Sequence, residues 1–152
     1  MTDYRRIFTP DSGTLLDIVV LNVSLDDWQR LLNFVSKTYL TAYSEDGERQ
    51  TMPDVSTIFA NRLKRSITWE ILLPGFTLNC HFFVPQVIEL DLLPNEVDSN
   101  DKAEAVFAVM RNIADCLGKR VFLVPESSGS DDQIRDSAIC VAESDGSFTY
   151  LT

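Results

Sequence analysis

The chain has 152 residues, about the length of one domain, and 45% of them are hydrophobic, so a sizeable core can be buried. No run of about 18 apolar residues is present and no apolar stretch follows the N-terminal arginines, so we expect neither a membrane span nor a secretory signal. A formal net charge of −10 disfavours nucleic acid and anionic lipid as partners.

The first third of the chain predicts a strand followed by a helix. Residues 14–23, TLLDIVVLNV, are rich in β-branched side chains, which is typical of a strand. In SLDDWQRLLNFVSK, which follows, Ser24 and Asp27 have the spacing of a capping box, and apolar residues recur at helical intervals. Residues 38–52 predict either short strands that turn at an Asp-Gly pair or an exposed loop.

The middle of the chain predicts a short helix and three strands. Residues 54–65, DVSTIFANRLKR, have an amphipathic pattern that begins near Asp54 and a basic end suited to a helix C-terminus. SITWEILL and FTLNCHFF alternate apolar and polar side chains on either side of a Pro-Gly turn, and QVIELDLL predicts a third strand.

The last third predicts the longest helix, a buried strand and a hairpin. Residues 99–119 carry one continuous apolar stripe, and Gly118 stands where a C′ glycine belongs. RVFLV predicts a buried strand that ends at Pro125, residues 126–137 predict a polar loop, and AICVAE and FTYL predict a final hairpin. Because helices and strands do not alternate strictly, the sequence predicts one α+β domain over residues 1–152, with a mainly antiparallel sheet and two to three amphipathic helices.

Nearly all of the excess negative charge lies in the second part of the chain. Residues 1–65 hold 9 acids and 8 bases, whereas residues 66–152 hold 14 acids and 5 bases. Such a field speeds association with a basic partner, and it also keeps a protein soluble, so both interpretations stay open. The acidic side chains that we expect to contact a partner lie largely in predicted loops: Glu96, Asp98, Asp101, Glu126, Asp131, Asp132, Asp136, Glu143 and Asp145.

The only histidine, His81, directly follows Cys80, which suggests a catalytic pair. Neighbours on a strand point to opposite faces of the sheet, so Cys80 falls on the apolar face and His81 on the polar face. The two side chains therefore diverge and do not form a dyad. The three cysteines lack CxxC spacing and predict reduced thiols in a cytoplasmic protein.

A second group of candidate residues is acidic. Glu89 and Asp91 stand two apart on a predicted strand, so both carboxylates project from one face of the sheet. With Glu70 on a neighbouring strand they could bind a divalent cation, or this face is simply solvated. The sequence has no glycine-rich phosphate loop and no nucleophile elbow, so we expect no catalytic residue and no cofactor.

Residues 93–127, LPNEVDSNDKAEAVFAVMRNIADCLGKRVFLVPES, combine an acidic strand end, an amphipathic helix, an LGK step into a strand and a Pro-Glu pair. This block resembles small α+β bacterial immunity proteins, which neutralise toxins, and related bacterial proteins of uncharacterised function. The resemblance implies a single-domain cytoplasmic inhibitor that occupies the active site of a toxin. It carries over no individual binding residue.

Together these observations predict a cytoplasmic, non-enzymatic binding protein of immunity or inhibitor type. We expect its partner to be a basic protein, such as a toxin or effector domain, contacted through acidic loops. Two alternatives stay open. One is a small divalent-metal-dependent enzyme that uses Glu70, Glu89 and Asp91, and the other is a structural subunit whose open sheet edge or apolar face is covered by another copy of the chain.

Overall fold

The structure, a computed structural model, describes residues 3–8, 14–126 and 129–151, and these form an α+β fold around one large sheet. The strands are β1 (Leu16–Val20), β2 (Leu40–Glu45), β3 (Glu48–Arg49), β4 (Ile67–Leu73), β5 (Phe76–Val84), β6 (Val87–Leu92), β7 (Val121–Pro125), β8 (Cys140–Ala142) and β9 (Phe148–Tyr150). The helices are α1 (Leu25–Thr38), α2 (Val55–Arg62), α3 (Asn100–Leu117) and α4 (Asp131–Ser137), with short 3-10 helices at Tyr4–Arg6 and Pro94–Glu96.

The sheet is antiparallel throughout, which confirms the predicted fold class. Its strand order is β3-β2-β4-β5-β6-β1-β7-β8-β9. The first strand in the sequence therefore lies near the middle of the sheet, between β6 and β7. All five residues of β1 are buried, including the acidic residue Asp17. The sequence allowed either short strands joined by a turn or an exposed loop over residues 38–52. The structure has the first of these, the β2–β3 hairpin.

Helices α1, α2 and α3 cover one face of the sheet and form the main core with it. The Ser24–Asp27 capping box is present at the start of α1, and Asp54 caps α2. Ser99 caps α3, which ends at Gly118 with a φ of 65°, a left-handed conformation that glycine adopts without steric cost. The core joins the apolar stripes of these helices to the inward-facing residues of the strands.

Helix α4 lies on the opposite face, called the outer face below, where residues 126–137 were predicted to be a polar loop. That prediction was wrong for Asp131–Ser137, because α4 begins with a capping box formed by Ser130 and Gln133. The sequence of α4, DDQIRDS, has no repeating apolar pattern, because Ile134 is its one apolar residue. Ile134 is also the one residue of α4 that is buried. Ile134 and the following Ala138 pack on side chains of β1, β7 and β8 in a second, smaller core.

The remainder of the outer face stays partly open. Outward-facing side chains of β4 and β5, such as Glu70, Asn79 and His81, are only partly buried. The pairing of β5 with β6 is irregular between His81 and Val84, and Phe83 and Val84 are exposed at this bulge. None of the helices in the described ranges combines the length and hydropathy that crossing a membrane requires.

Candidate functional site

A cavity of about 210 Å³ opens on the outer face beside the region that α4 covers. Four carboxylates line this cavity, and we call it the acidic pocket. Its lining residues are Leu15, Asp17, His81, Phe83, Glu89, Asp91 and Glu126.

Strand pairing explains why these carboxylates meet. Asp17 on β1 lies directly opposite Asp91 on β6, and Asp91 lies opposite Asn79 on β5. Glu89 precedes Asp91 by two residues, so both point to the same face. Residues directly opposite each other on antiparallel strands have Cβ atoms about 5 Å apart, and like charges at that distance destabilise the pair. The pocket therefore has a negative character built into its register.

His81 compensates one of these carboxylates. Its Nε2 is hydrogen-bonded to the Oδ2 atom of Asp91, and the side-chain amide of Asn79 donates to Asp91 Oδ1 at 3.3 Å. The bond to Asp91 raises the pKa of His81, outweighing the effect of burial. The imidazole stacks on the Phe83 ring, with the ring centres 4.9 Å apart, so His81 is held between Asp91 and an aromatic wall.

Asp17 has no such hydrogen bond with a described residue, and His81 offsets its charge only through space. Its residue is 7% exposed, and within the described residues no group donates a hydrogen bond to its carboxyl. Burial, followed by the nearby negative charges of Glu89, Asp91 and Glu126, raises the pKa of Asp17 to about 7. The pocket thus contains a buried carboxyl that takes up a proton near neutral pH, or that an incoming cation would hold in its ionised form.

Part of the rim of the pocket is formed by the residue before β1, Leu15, and the residue after β7, Glu126. Glu126 follows β7, and its Oε2 accepts a hydrogen bond of 3.1 Å from the backbone N–H of Leu15. Glu89, on the other side, is half buried, and this burial raises its pKa. The pocket can therefore attract a cation, exchange a proton at Asp17 and bury an apolar segment against Leu15 and Phe83.

Cys80 lies on the other face of the sheet, which confirms that it forms no dyad with His81. It is 1% exposed and belongs to the main core. Burial raises the pKa of its thiol well above the usual value, so the thiol stays protonated. Cys116 and Cys140 are also free, and Cys140 is buried.

The proposed metal ligands are not brought together as a set. Glu70 on β4 lies opposite Asn79 on β5, and Asn79 lies opposite Asp91 on β6, so a whole strand separates Glu70 from Asp91. Two strand spacings amount to about 10 Å. Throughout the part of the chain that the structure describes, no group of three His, Cys, Asp or Glu side chains is placed to hold a metal ion.

The acidic residues predicted to contact a partner fall into separate places. Glu126 lines the acidic pocket, and Asp131, Asp132 and Asp136 lie on α4, on the same face of the sheet. The other predicted contacts belong to the α3 side of the sheet or to the β8–β9 turn: Glu96, Asp98, Asp101, Glu143 and Asp145.

Several of these outlying acids have partners within the chain. Asp98 accepts from Lys102 Nζ at 2.8 Å, and Glu143 accepts from Arg120 Nε at 2.9 Å. Asp145 accepts hydrogen bonds from the backbone N–H and the hydroxyl group of Ser147. These three carboxylates are therefore already engaged in local structure, unlike Asp17.

An arginine-lined hollow of about 260 Å³ lies next to the acidic pocket, and His81 and Phe83 line both. Arg62 lies over the Phe83 ring at 5.9 Å, and Arg65 reaches Glu45 at 3.3 Å. Arg62 is the last residue of α2, and Arg65 lies beyond its end, because the helix predicted over residues 54–65 stops at Arg62. The acidic pocket therefore adjoins a region of opposite charge near the end of β5.

Asp17 was not predicted from the sequence as a site residue, and neither was the contact between His81 and Asp91. A signal for Asp17 was present, because it is the only charged residue in an otherwise apolar strand, LDIVV. The alternation in β5 and β6 also placed His81, Glu89 and Asp91 on the polar face. What the sequence did not contain was the pairing of β1 with β6, which joins residues 74 positions apart in the Asp17–Asp91 pair.

No protein-family model, curated protein or solved structure matches this chain. The resemblance of residues 93–127 to bacterial immunity proteins therefore stays a prediction. The geometry of the acidic pocket is the basis on which a function can be proposed.

Proposed function

We propose that this chain is a non-enzymatic binding protein that receives a basic protein partner on the outer face of its sheet, with the acidic pocket at the centre of the contact. Asp17 is the observation that carries this proposal. A carboxyl that is largely buried beside other carboxylates is costly, and it gains more from an incoming cation than an exposed carboxylate does. A binding partner is a physical reason for such a residue in the middle of a sheet.

The surroundings of the pocket support a protein as the partner. Phe83 is 50% exposed beside the pocket, and Val84 is exposed next to it. Protein interfaces are enriched in aromatic side chains, and their anchoring residues lie near the centre of the contact. An apolar, partly aromatic border around a charged pocket fits a side chain that is presented by a folded partner.

The carboxylates of α4 support a basic partner in particular. Asp131, Asp132 and Asp136 lie on the same side of the sheet as the pocket, and three acids against the single Arg135, which pairs with Asp132 at 3.4 Å, leave α4 net negative. Charges at the border of an interface mainly speed association, whereas charges buried at its centre mainly slow dissociation. In this proposal α4 attracts the partner and the acidic pocket holds it.

Within this proposal, the more specific assignment is an immunity or inhibitor protein that neutralises a toxin or another basic effector domain in the cytoplasm. The net charge of −10 and the resemblance of residues 93–127 support it. The free thiols support a reducing compartment.

Capture from a lysate of the native host tests the proposal. Tagged wild-type protein is compared with Asp17→Asn and with Asp98→Asn, whose carboxylate lies on the α3 side of the sheet, and bound proteins are eluted with rising salt. We expect one stoichiometric basic protein on the wild type and on Asp98→Asn, eluted by salt and depleted on Asp17→Asn. Equal capture by all three proteins would contradict docking at the acidic pocket.

A further inference from the structure

The acidic pocket is suited to an organic cation rather than to a bare ion. In the described ranges no three ligating side chains converge as a metal site requires. The wall of the pocket includes the apolar side chains Leu15 and Phe83 next to its carboxylates. A cation with a hydrocarbon stem can contact both kinds of surface at once, as the long basic side chains of proteins do.

The carboxyl group of Asp17, the one that stays available to a partner, favours a planar, forked donor that can bond both of its oxygens. Asp91 lies on β6, Asp17 lies on β1 and Glu126 directly follows β7, and these are three consecutive strands of the sheet. Neighbouring strands are about 4.8 Å apart, so these groups span about 10 Å, which is wider than one guanidinium; a single donor group therefore pairs with one carboxyl while the others supply a negative field. A guanidinium presents five N–H donors in a fixed fork, whereas an ammonium is a compact point charge with three donors.

Dehydration also favours a guanidinium. Asp17 is 7% exposed and Asp91 is 9% exposed, so a cation that reaches them must lose most of its water. A guanidinium is more weakly hydrated than an ammonium and loses less free energy when it is buried. Because His81 already bonds to Asp91, the carboxyl that remains for the incoming donor is Asp17.

We propose that the acidic pocket is an arginine-binding pocket, in which the guanidinium of an arginine on the partner protein donates to Asp17 and its stem packs against Phe83. This inference rests on the proposed function, since the arginine belongs to the basic partner. It adds the identity of the anchoring side chain.

The single histidine of the chain provides a direct probe, because the ring signals of His81 in an NMR spectrum need no assignment and His81 lines the pocket. Three capped amino acids are titrated at pH 7.5: N-acetyl-arginine-N-methylamide, the lysine equivalent and the citrulline equivalent, which has nearly the shape of arginine without its charge. The proteins are wild type, Asp17→Asn, Glu89→Gln and the control Glu48→Gln, which changes an exposed carboxylate on the edge strand β3.

We expect saturable shifts of the His81 signals with the arginine compound, at least fivefold weaker binding of the lysine compound and no saturation with the citrulline compound. Binding of the arginine compound should weaken at least tenfold in Asp17→Asn, weaken less in Glu89→Gln and stay unchanged in Glu48→Gln. Far-ultraviolet circular dichroism verifies that each variant is folded.

Equal responses to arginine and lysine, or unchanged arginine binding in both Asp17→Asn and Glu89→Gln, would overturn the assignment. Those results would leave the docking proposal standing if the lysate partner were still lost from Asp17→Asn. The two proposals therefore fail in distinguishable ways.

Discussion

Asp17 is the residue on which the functional interpretation depends. Every other residue of β1 is apolar, and β1 has neighbours on both edges, so a charged side chain there opposes the packing of the sheet. Its carboxyl also faces Asp91 across the strand pair. Residues that reduce stability in this manner are often retained for binding or catalysis, because the same strain is relieved when a ligand arrives.

Replacing Asp17 by asparagine should stabilise the protein in a pH-dependent manner. The folded-state pKa of about 7 lies above the ordinary value of 3.8, so folding favours the protonated form, and stability is lost as the pH rises through 7. The asparagine side chain does not titrate. We therefore expect the advantage of Asp17→Asn in the free energy of unfolding to be on the order of 2 to 4 kcal/mol greater at pH 8 than at pH 4. Urea unfolding at the two pH values measures it, and an advantage independent of pH would contradict the account.

His81 should titrate above its ordinary range because of its bond to Asp91. The raised pKa means that its contribution to stability is complete below about pH 6.5 and is lost as the pH rises through the folded-state pKa. In Asp91→Asn the pKa of His81 should fall, and in the control Asp98→Asn it should not change. An NMR titration of the single imidazole measures both. An unchanged pKa in Asp91→Asn would mean that another group holds the proton.

At the scale of elements, helix α4 covers the part of the outer face that β1, β7 and β8 form, and the pocket lies beside it. It has seven residues, and its attachment depends on Ile134 together with Ala138. A helix this short is not stable in isolation, so its packing and its capping box must hold it in place.

Removing the anchor of α4 should therefore be costly. We expect Ile134→Ala to lower the free energy of unfolding by about 2 kcal/mol, because it deletes buried methyl and methylene groups. The matched variant Asp136→Ala, two residues further along on the exposed side, should change it by less than about 0.5 kcal/mol. Denaturant unfolding compares the two, and equal effects would show that α4 is not held by Ile134.

Elements with strong local signals were predicted from the sequence, whereas elements that depend on distant pairing were not. The capping residues of α1 to α3 and the alternation in β4 to β6 are local patterns, and they gave the helices, the hairpins and the antiparallel sheet. Helix α4 has too few apolar residues for a period, so it was missed. The pocket was missed for a related reason: β1 contributes Asp17 only through its pairing with β6, and no local pattern specifies that partner.

At the scale of the whole molecule, the charge of the chain is divided between the two faces of the sheet. The carboxylates near the start of α3 lie on the helical side, whereas those of α4 and the acidic pocket lie on the outer side. A net charge of −10 raises encounter rates with any basic protein, but only a structured site can hold one. The account therefore predicts different kinetic effects for charges at different places.

Reversing the charges of α4 should slow encounter with the partner. In Asp131→Lys/Asp132→Lys we expect the association rate constant to fall severalfold at low salt, and the difference from wild type to shrink as salt screens the charges. The dissociation rate should change little. Biolayer interferometry at two ionic strengths gives both constants, and an unchanged association rate would remove α4 from the contact.

The most direct test of the central claim is the dissociation constant of the captured basic partner for two neutralised variants of equal charge. One is Asp17→Asn/Glu89→Gln in the acidic pocket, and the other is Asp98→Asn/Asp101→Asn at the start of α3. The account predicts at least a tenfold increase in the dissociation constant for the pocket variant, mostly through faster dissociation, and less than a twofold change for the α3 variant. A larger loss in the α3 variant than in the pocket variant would place the partner on the helical side of the sheet and contradict the account.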